Sequence, residues 1–220
     1  MKMGESSGDI VTFGTYPHGM SGTDKTPIRW RVLQNAADEL FLLSEYIIDC
    51  RRYHNEAVAI SWRDCDLRRW LNHAFLDTAF TAAEQECIRT NRCGGNGEGS
   101  PDTEDRIFLL SATEVVEYTD ARTENGWRRA IGTAYAKERK ADGCRLYVYD
   151  KNVEQDYITE NGNRLGCSWW WTRTQSQRQT GYLSRATFVG ARGNIKRYGQ
   201  VDIRCYGVRP AIKLERKHIT

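Results

Sequence analysis

The last third of the chain consists of apolar segments of about six residues separated by glycines, a spacing too short for successive helices. Short segments rich in β-branched and aromatic residues predict strands joined by tight turns. The strand-like segments are residues 187–189, 201–203 and 207–214. Gly193 and Asn194 have the composition of a hairpin turn between the first two. The separating glycines are at positions 181, 190, 193, 199 and 207.

Upstream of residue 167, predicted strands alternate with short predicted helices. Strands are predicted over residues 9–16, 28–33, 40–48, 107–110 and 145–149. The second and third of these form a hairpin across residues 35–38. Ser61, Thr81 and Ser111 are predicted helix N-caps, and the last two have a glutamate three residues later, as in a capping box. A further helix is predicted in the second half of residues 127–140, and a loop over residues 91–105.

Length and composition bound the class of protein. A chain of 220 residues is expected to bury roughly 70% of its unfolded surface, so it needs no metal or disulfide to fold. The absence of internal repeats and of a clear linker predicts one α+β domain over residues 1–220. No run approaches the ~18 apolar residues of a membrane span, and the first residues do not resemble a secretory signal. The location is unknown at this point: the lack of a secretory signal allows the cytoplasm, a phage virion or export by an unrecognised route.

The seven cysteines form no C-x-x-C pair and have no spacing typical of a zinc site. We expect reduced, mostly buried thiols. A Cys167–Cys205 disulfide remains an alternative if the protein acts outside a cell.

No catalytic motif is present. The four histidines, at positions 18, 54, 73 and 218, are scattered, and neither a nucleophile elbow nor an H-E-x-x-H helix occurs. The glycines of residues 91–105 lack the Lys-Ser/Thr of a phosphate loop. We predict no catalytic residue, no metal ligand and no cofactor.

Positive charge is concentrated in residues 172–206, which carry seven basic side chains and one acidic side chain. The segment has a net charge of +6, whereas the whole chain has +3. Tyrosine, arginine and small polar residues are typical of recognition surfaces. A solvated strand surface with half-buried aromatic residues explains the same composition equally well. Nucleic acid is a less favoured partner because no nucleic-acid-binding motif accompanies the charge.

Several short blocks resemble a family of bacterial and phage proteins of unassigned function. W-W-T-R at residues 170–173 and G-V-R-P-A at residues 207–211 are similar to the W-W-L-R-S and G-V-R-P-A-L of that family. Upstream blocks that match it in order begin at residues 13, 27, 42, 67, 105 and 133. Together the blocks cover most of residues 9–214.

This family resembles the variable proteins of diversity-generating retroelements, in which a reverse transcriptase rewrites a C-terminal segment. The resemblance implies a C-type-lectin-like fold, of the subtype found in formylglycine-generating enzymes. Residues 1–166 would be scaffold, and residues 167–214 would form a β-rich, ligand-facing segment. Trp30, Trp62, Trp70, Trp170 and Trp171 would then lie in or near the core. Thr172 and Thr174 depart from the Leu and Ser of the family, so this copy is either diversified or no longer diversifies.

The resemblance predicts a receptor-type protein whose ligand, an acidic protein or other macromolecule, binds the surface of residues 172–206. An oligomer is possible. Two other classes remain open: an oxidase of the formylglycine-generating type, which uses copper and paired cysteines such as Cys167 and Cys205, and a structural module of a phage particle or surface assembly. The predicted ligand-binding residues are Thr174, Ser176, Arg178, Tyr182, Ser184, Arg185, Arg192, Asn194, Lys196, Arg197, Tyr198, Gln200, Asp202, Arg204 and Tyr206.

Overall fold

Two five-stranded sheets form the framework of the protein. The computed structural model describes residues 6–119, 126–149, 154–176 and 185–216. Its strands are β1 Ile10–Tyr16, β2 Thr26–Asn35, β3 Glu39–Ser44, β4 Asp49–Cys50, β5 Asn91–Cys93, β6 Thr103–Asp105, β7 Ile107–Phe108, β8 Tyr157–Glu160, β9 Asn163–Gly166, β10 Trp170–Gln175, β11 Arg185–Val189, β12 Ile195–Gln200, β13 Gly207–Val208 and β14 Ala211–Glu215. The α-helices are α1 Asp66–Trp70, α2 Leu76–Ala79, α3 Ala82–Cys87, α4 Ala112–Tyr118 and α5 Ala134–Lys137.

The first sheet has the order β1-β2-β3-β14-β7, and all its strands pair antiparallel. The predicted hairpin is confirmed as β2 and β3. In β2 the side chains of Ile28, Trp30 and Val32 are buried, whereas Arg29 points outward, as an alternating pattern requires. Because β14 lies between β3 and β7, the C-terminal part of the chain completes the sheet that the N-terminal part begins.

The second sheet has the order β12-β11-β10-β13-β4. The strand predicted over residues 207–214 is only partly correct, because it divides into β13 in this sheet and β14 in the first sheet. Only the β10–β13 pair, which joins Trp170 to Gly207, is parallel. The predicted turn at Gly193 and Asn194 is confirmed: Gly193 has a φ of 81°, and Asn194 accepts a hydrogen bond from the Gly190 amide through its backbone oxygen at 2.8 Å. The model is thus a mixed α+β structure of small, mainly antiparallel sheets with short helices.

Three strand or loop predictions are wrong. Residues 201–203 form a turn rather than a strand, because the Ile203 amide bonds back to the Gln200 carbonyl at 3.2 Å. Residues 145–149 run alongside residues 204–205 without forming a regular strand. The segment over residues 91–105 is not only a loop, since β5 and β6 pair within it.

The capping boxes predict two helices correctly. Thr81 and Ser111 each accept a hydrogen bond from the amide three residues on, and the glutamate at that position bonds back. The prediction at Ser61 is wrong. The helix begins later, at Asp66 with Cys65 as its N-cap, and the Ser61 hydroxyl instead donates to the Asp64 carboxylate at 2.8 Å. Among the helices of the described ranges, none has both the length and the apolar character that crossing a membrane requires.

The tryptophans lie where the resemblance implied. Trp30, Trp62, Trp170 and Trp171 are fully buried, and Trp70 is partly buried against the same core. That core includes residues of both sheets, from β1 to β14. Large buried side chains therefore pack against the C-terminal strands and leave little room for movement.

Candidate functional site

The basic segment begins inside the core rather than on the surface. Thr172 and Arg173 are 0% and 1% exposed. The Arg173 guanidinium forms a bidentate ion pair with Glu114 of α4, and Asn96 accepts a further hydrogen bond from its Nε at 3.0 Å. Backbone carbonyls of Gly94 and Leu109 accept its remaining hydrogen bonds, at 2.7 and 2.6 Å. One of the seven basic side chains of the segment is thus a structural tie between β10 and the preceding part of the chain.

Aromatic rings form the floor of a groove beside β12. The ring centroid of Tyr206 lies 4.7 Å from that of Phe188 and 5.5 Å from that of Trp169. Tyr198 stands edge-on to Phe188 at 5.4 Å and is 55% exposed, whereas Tyr206 is 6% exposed. Trp171 stacks beneath Tyr206 at 4.1 Å. The groove, of about 260 Å³, therefore has a rigid floor and one accessible ring at its edge.

Polar and basic residues of the β11–β12 turn and of β12 complete this groove, which we call the aromatic groove. Its polar lining consists of Arg192, Asn194 and Lys196, together with the tyrosine hydroxyls. Arg192 is held in place because its Nε donates to the buried carboxylate of Asp156 at 2.7 Å, and this hydrogen bond raises the pKa of Arg192. Lys196 is half-buried.

Five of the predicted ligand-binding residues meet in the aromatic groove: Arg192, Asn194, Lys196, Tyr198 and Tyr206. Tyr206 contributes from the floor rather than from the rim. Burial raises its pKa, so its hydroxyl remains protonated at neutral pH and can donate a hydrogen bond.

Other predicted residues lie near the groove but serve the fold. The Thr174 hydroxyl accepts from the Ala112 amide at 2.9 Å and donates to the Gly95 carbonyl at 2.7 Å. Ser176 donates to the carbonyl of Arg197, and Arg185 donates to the carbonyl of Tyr198 at 2.6 Å. The Thr174 bonds join the end of β10 to the start of α4 and to Gly95, and the other two fix the backbone of β12.

The remaining predicted residues are dispersed. Arg197 and Gln200 are exposed on β12, and Asp202 is half-buried in the turn that follows. Arg204 lines a different cavity, together with Cys205 and residues 139, 143 and 145–148. Arg178, Tyr182 and Ser184 lie outside the described residues.

The aromatic groove offers groups that a recognition surface uses. Among the described residues that line it, none carries a carboxylate, an imidazole or a thiol, and its titratable groups are those of Arg192, Lys196 and the tyrosines. Stacking on exposed tyrosine and hydrogen bonding to fixed cations remain available, and both are typical of recognition.

The cysteines that the structure brings together are not the pair considered from the sequence. All seven are free thiols; Cys87 and Cys205 are half-buried and the other five are buried. A hydrogen bond between Cys50 and Cys144 raises the pKa of Cys50 and lowers that of Cys144. The two lie far apart in sequence, in β4 and in the segment after α5, so no spacing pattern could have indicated their contact. In the described part of the chain, no group of three or more histidine, cysteine or acidic side chains has an arrangement that could hold a metal ion.

The comparisons with known proteins give a family and nothing finer. A family model described as "Domain of unknown function (DUF6273)" matches residues 37–216. No curated protein matches the chain, and no solved structure does. The matched range contains β3 and every later strand, and with them the aromatic groove. The chain belongs to the DUF6273 domain family.

Proposed function

We propose that this protein is a receptor-type binding protein and that the aromatic groove is the centre of its contact surface. One observation carries the proposal: five residues chosen from the sequence as ligand contacts line a single groove over an aromatic floor. Such a floor supplies rigid apolar area, and the polar groups at the rim supply orientation. Among the described residues that line the groove, the charged ones are Arg192 and Lys196, and both are cationic, so the partner that fits is an acidic protein or other acidic macromolecule.

The proposal includes a C-type-lectin-like fold, of the formylglycine-generating-enzyme subtype, and a role as the target protein of a diversity-generating retroelement. Its support is the ordered series of sequence blocks, above all W-W-T-R and G-V-R-P-A. A further support is that the exposed positions of β12 and of the preceding turn rest on buried residues of β10 and β11. Such an arrangement lets surface side chains change while the core stays constant.

A binding experiment tests the surface directly. Poly-L-glutamate serves as the acidic probe and poly-L-lysine of equal length as the charge control, with the affinity measured by isothermal titration calorimetry. We expect poly-L-glutamate to bind and poly-L-lysine not to bind. Tyr198→Ala and Lys196→Glu should each weaken the interaction by about tenfold, since each removes an accessible anchor from the groove.

Lys25→Glu is the matched charge-reversal control. Lys25 is exposed immediately before β2, in the first sheet, and does not line the groove. It should leave the affinity unchanged, and the unfolding temperature of all three variants should stay near that of the wild type. Equal weakening by Lys25→Glu, or an affinity insensitive to Tyr198 and Lys196, would refute the placement of the site.

Arg192 is a poor probe of binding despite its position in the groove. Reversing its charge would place a carboxylate against the buried carboxylate of Asp156. We expect Arg192→Glu to lower stability, so a loss of binding in this variant would not report on ligand contact.

The retroelement part of the proposal has its own test, which is long-read sequencing of the locus in its native population. We expect substitutions at template adenines, concentrated at exposed positions such as Asn194 and Tyr198 and at the half-buried Lys196. The buried residues Thr172 and Arg173 should stay constant. A fixed segment with no second copy beside a reverse transcriptase gene would refute diversification, and the binding surface would still be tested by the titration.

A further inference from the structure

A second cavity, of about 450 Å³, shares no lining residue with the aromatic groove, although the ring of Tyr147 in its lining packs against Trp169 of the groove. Three arginines line it: Arg139, Arg145 and Arg204. All three are exposed, so their guanidinium groups are accessible to a solute. We call this site the arginine cavity.

Backbone hydrogen bonds hold two of these arginines side by side. The amide of Arg145 donates to the carbonyl of Arg204 at 2.8 Å, and the amide of Tyr147 donates to the carbonyl of Cys205 at 3.1 Å. The Nε of Arg145 also donates to the carbonyl of Lys137 at 3.2 Å, which directs its side chain. The two guanidinium groups are thus presented by paired backbone segments rather than by a loose loop.

The side chain of Arg204 lies close to Gly143. A Cβ at Gly143 would lie 2.9 Å from a guanidinium nitrogen of Arg204, so the end of this side chain passes close over Gly143. Gly143 has a φ of 85°, which favours glycine.

The guanidinium groups of the arginine cavity have no ion-pair partner in the described parts of the chain. No acidic residue lines the cavity, and no described carboxylate forms an ion pair with any of the three guanidinium groups. The nearby Asp142 keeps its negative charge, but its carboxylate accepts hydrogen bonds from the amide of Cys144 at 2.9 Å and from its thiol at 3.3 Å rather than from an arginine of the cavity. Like charges gathered around one cavity repel each other, and a bound anion would relieve that repulsion.

Phosphate fits this charge better than carboxylate does. A phosphate monoester carries about −1.5 to −2 charges and three acceptor oxygens, and guanidinium forks bind such groups in a bidentate manner. A carboxylate has one charge and two oxygens, too few for three forks. The cavity is also larger than a phosphate ion needs and lies in the range of about 300–1,000 Å³ typical of small-molecule sites.

Tyr147 supplies a stacking surface in the same cavity. It is 37% exposed, and its ring packs against Trp169 at 4.8 Å, which supports it from one side. A planar group such as a nucleobase can stack on an aromatic ring held in this way. We propose that the arginine cavity binds a small phosphorylated molecule that carries a planar ring, with its phosphate on Arg145 and Arg204 and its ring on Tyr147.

Calorimetric titration of the full chain with ADP, pyrophosphate and citrate, in phosphate-free buffer, tests the proposal. We expect ADP to bind most tightly, pyrophosphate less tightly and citrate least. Arg145→Gln and Arg204→Gln should each weaken ADP and pyrophosphate by about tenfold or more, because each removes a charge-assisted pair of hydrogen bonds. Tyr147→Leu should weaken ADP alone, to the level of pyrophosphate.

Arg92→Gln is the matched control, since the Arg92 side chain is 79% exposed and lies outside the cavity. It should leave all three affinities unchanged. Absence of ADP and pyrophosphate binding, or binding that Arg92→Gln weakens as much as Arg204→Gln does, would overturn the site. Equal affinity for ADP and pyrophosphate would overturn the role of Tyr147. The arginine variants change no residue of the aromatic groove and no ring that packs against it, so their result is independent of the poly-L-glutamate titration. Tyr147 packs against Trp169 and Tyr149 of the groove, so the independence of the two sites is judged from the arginine variants alone.

Discussion

Replacing Glu114 by glutamine isolates the ion pair that holds Arg173 in the core. Arg173 has a side chain that is 2% exposed, and Glu114, at 22%, is its carboxylate partner. Glu114 also accepts a hydrogen bond from the Ser111 amide at 2.8 Å, as the last residue of a capping box. Glutamine keeps the size of the side chain and an oxygen for the cap, so Glu114→Gln removes the negative charge while leaving the cap in place.

The expected loss in free energy of unfolding follows from the surroundings of the Arg173 guanidinium. Breaking a buried ion pair by removing one partner costs about 3–5 kcal/mol because the other charge stays buried. Here Glu114 is partly exposed and carbonyl oxygens continue to accept hydrogen bonds from Arg173, so we expect the lower end, about 3 kcal/mol. For a chain of this size, that corresponds to a fall in Tm of about 6–12 °C.

Glu84→Gln is the matched control for this measurement. Glu84 is the corresponding residue of the capping box at Thr81, but it faces no buried arginine. Urea unfolding followed by circular dichroism should show a cost below about 1 kcal/mol for Glu84→Gln. Equal losses in free energy of unfolding for the two variants would mean that Arg173 does not depend on Glu114, and the reasoning would fail.

Three further outcomes follow from local chemistry. Hydrogen bonds from the Thr26 hydroxyl and then from backbone amides lower the pKa of Asp24 from 3.8 to about 2. The stability that the ionised carboxylate contributes should be lost as the pH falls through this window. Asp24→Asn should therefore make the acid-unfolding curve shallower between these pH values. A Cβ at Gly207 would lie 2.2 Å from a buried isoleucine methyl group; Gly207→Ala should cost about 1–3 kcal/mol in urea unfolding, whereas Gly190→Ala, with its nearest contact at 3.4 Å, should cost less than about 1 kcal/mol. Cys87 and Cys205 should react with iodoacetamide before the five buried cysteines. Burial raises the pKa of both thiols, so their reactive thiolate fraction, and with it the labelling rate, should increase as the pH rises. Comparable labelling of a buried thiol in peptide mass maps would contradict the burial.

Short sequence patterns predicted the elements whose hydrogen bonds join residues close together in the chain. The capping boxes at Thr81 and Ser111 and the turn at Gly193 each depend on residues within four positions of one another. The alternation in β2 was equally visible. The order of strands was not, because β14 joins β3 through contacts that no pattern within either strand specifies.

In the candidate site, too, the sequence predicted the local features and not those that depend on contacts between distant residues. Composition identified the segment that carries Lys196, Tyr198 and Tyr206, yet it assigned Arg173 and Arg204 to the same surface. Arg173 turns inward because its acceptors lie in distant parts of the chain, including Glu114, 59 residues away. Arg204 belongs to the arginine cavity because its backbone pairs with Arg145. A count of charges cannot distinguish a buried, paired arginine from an exposed one.

The blocks W-W-T-R and G-V-R-P-A each contain one arginine, Arg173 and Arg209. These two side chains indicate how the fold could accept substitutions at its surface. Arg209, like Arg173, is buried; it lies over Trp170 at 5.2 Å, and its Nε donates to the Ser44 carbonyl at 2.8 Å. Burial lowers the pKa of Arg209 to about 10, so it is still charged at neutral pH. Arg173 and Arg209 thus anchor the chain before β11 and after β12, each through backbone carbonyls that do not depend on the identity of surface residues. Substitutions at exposed β12 positions leave both anchors intact, and the fold would tolerate them for that reason.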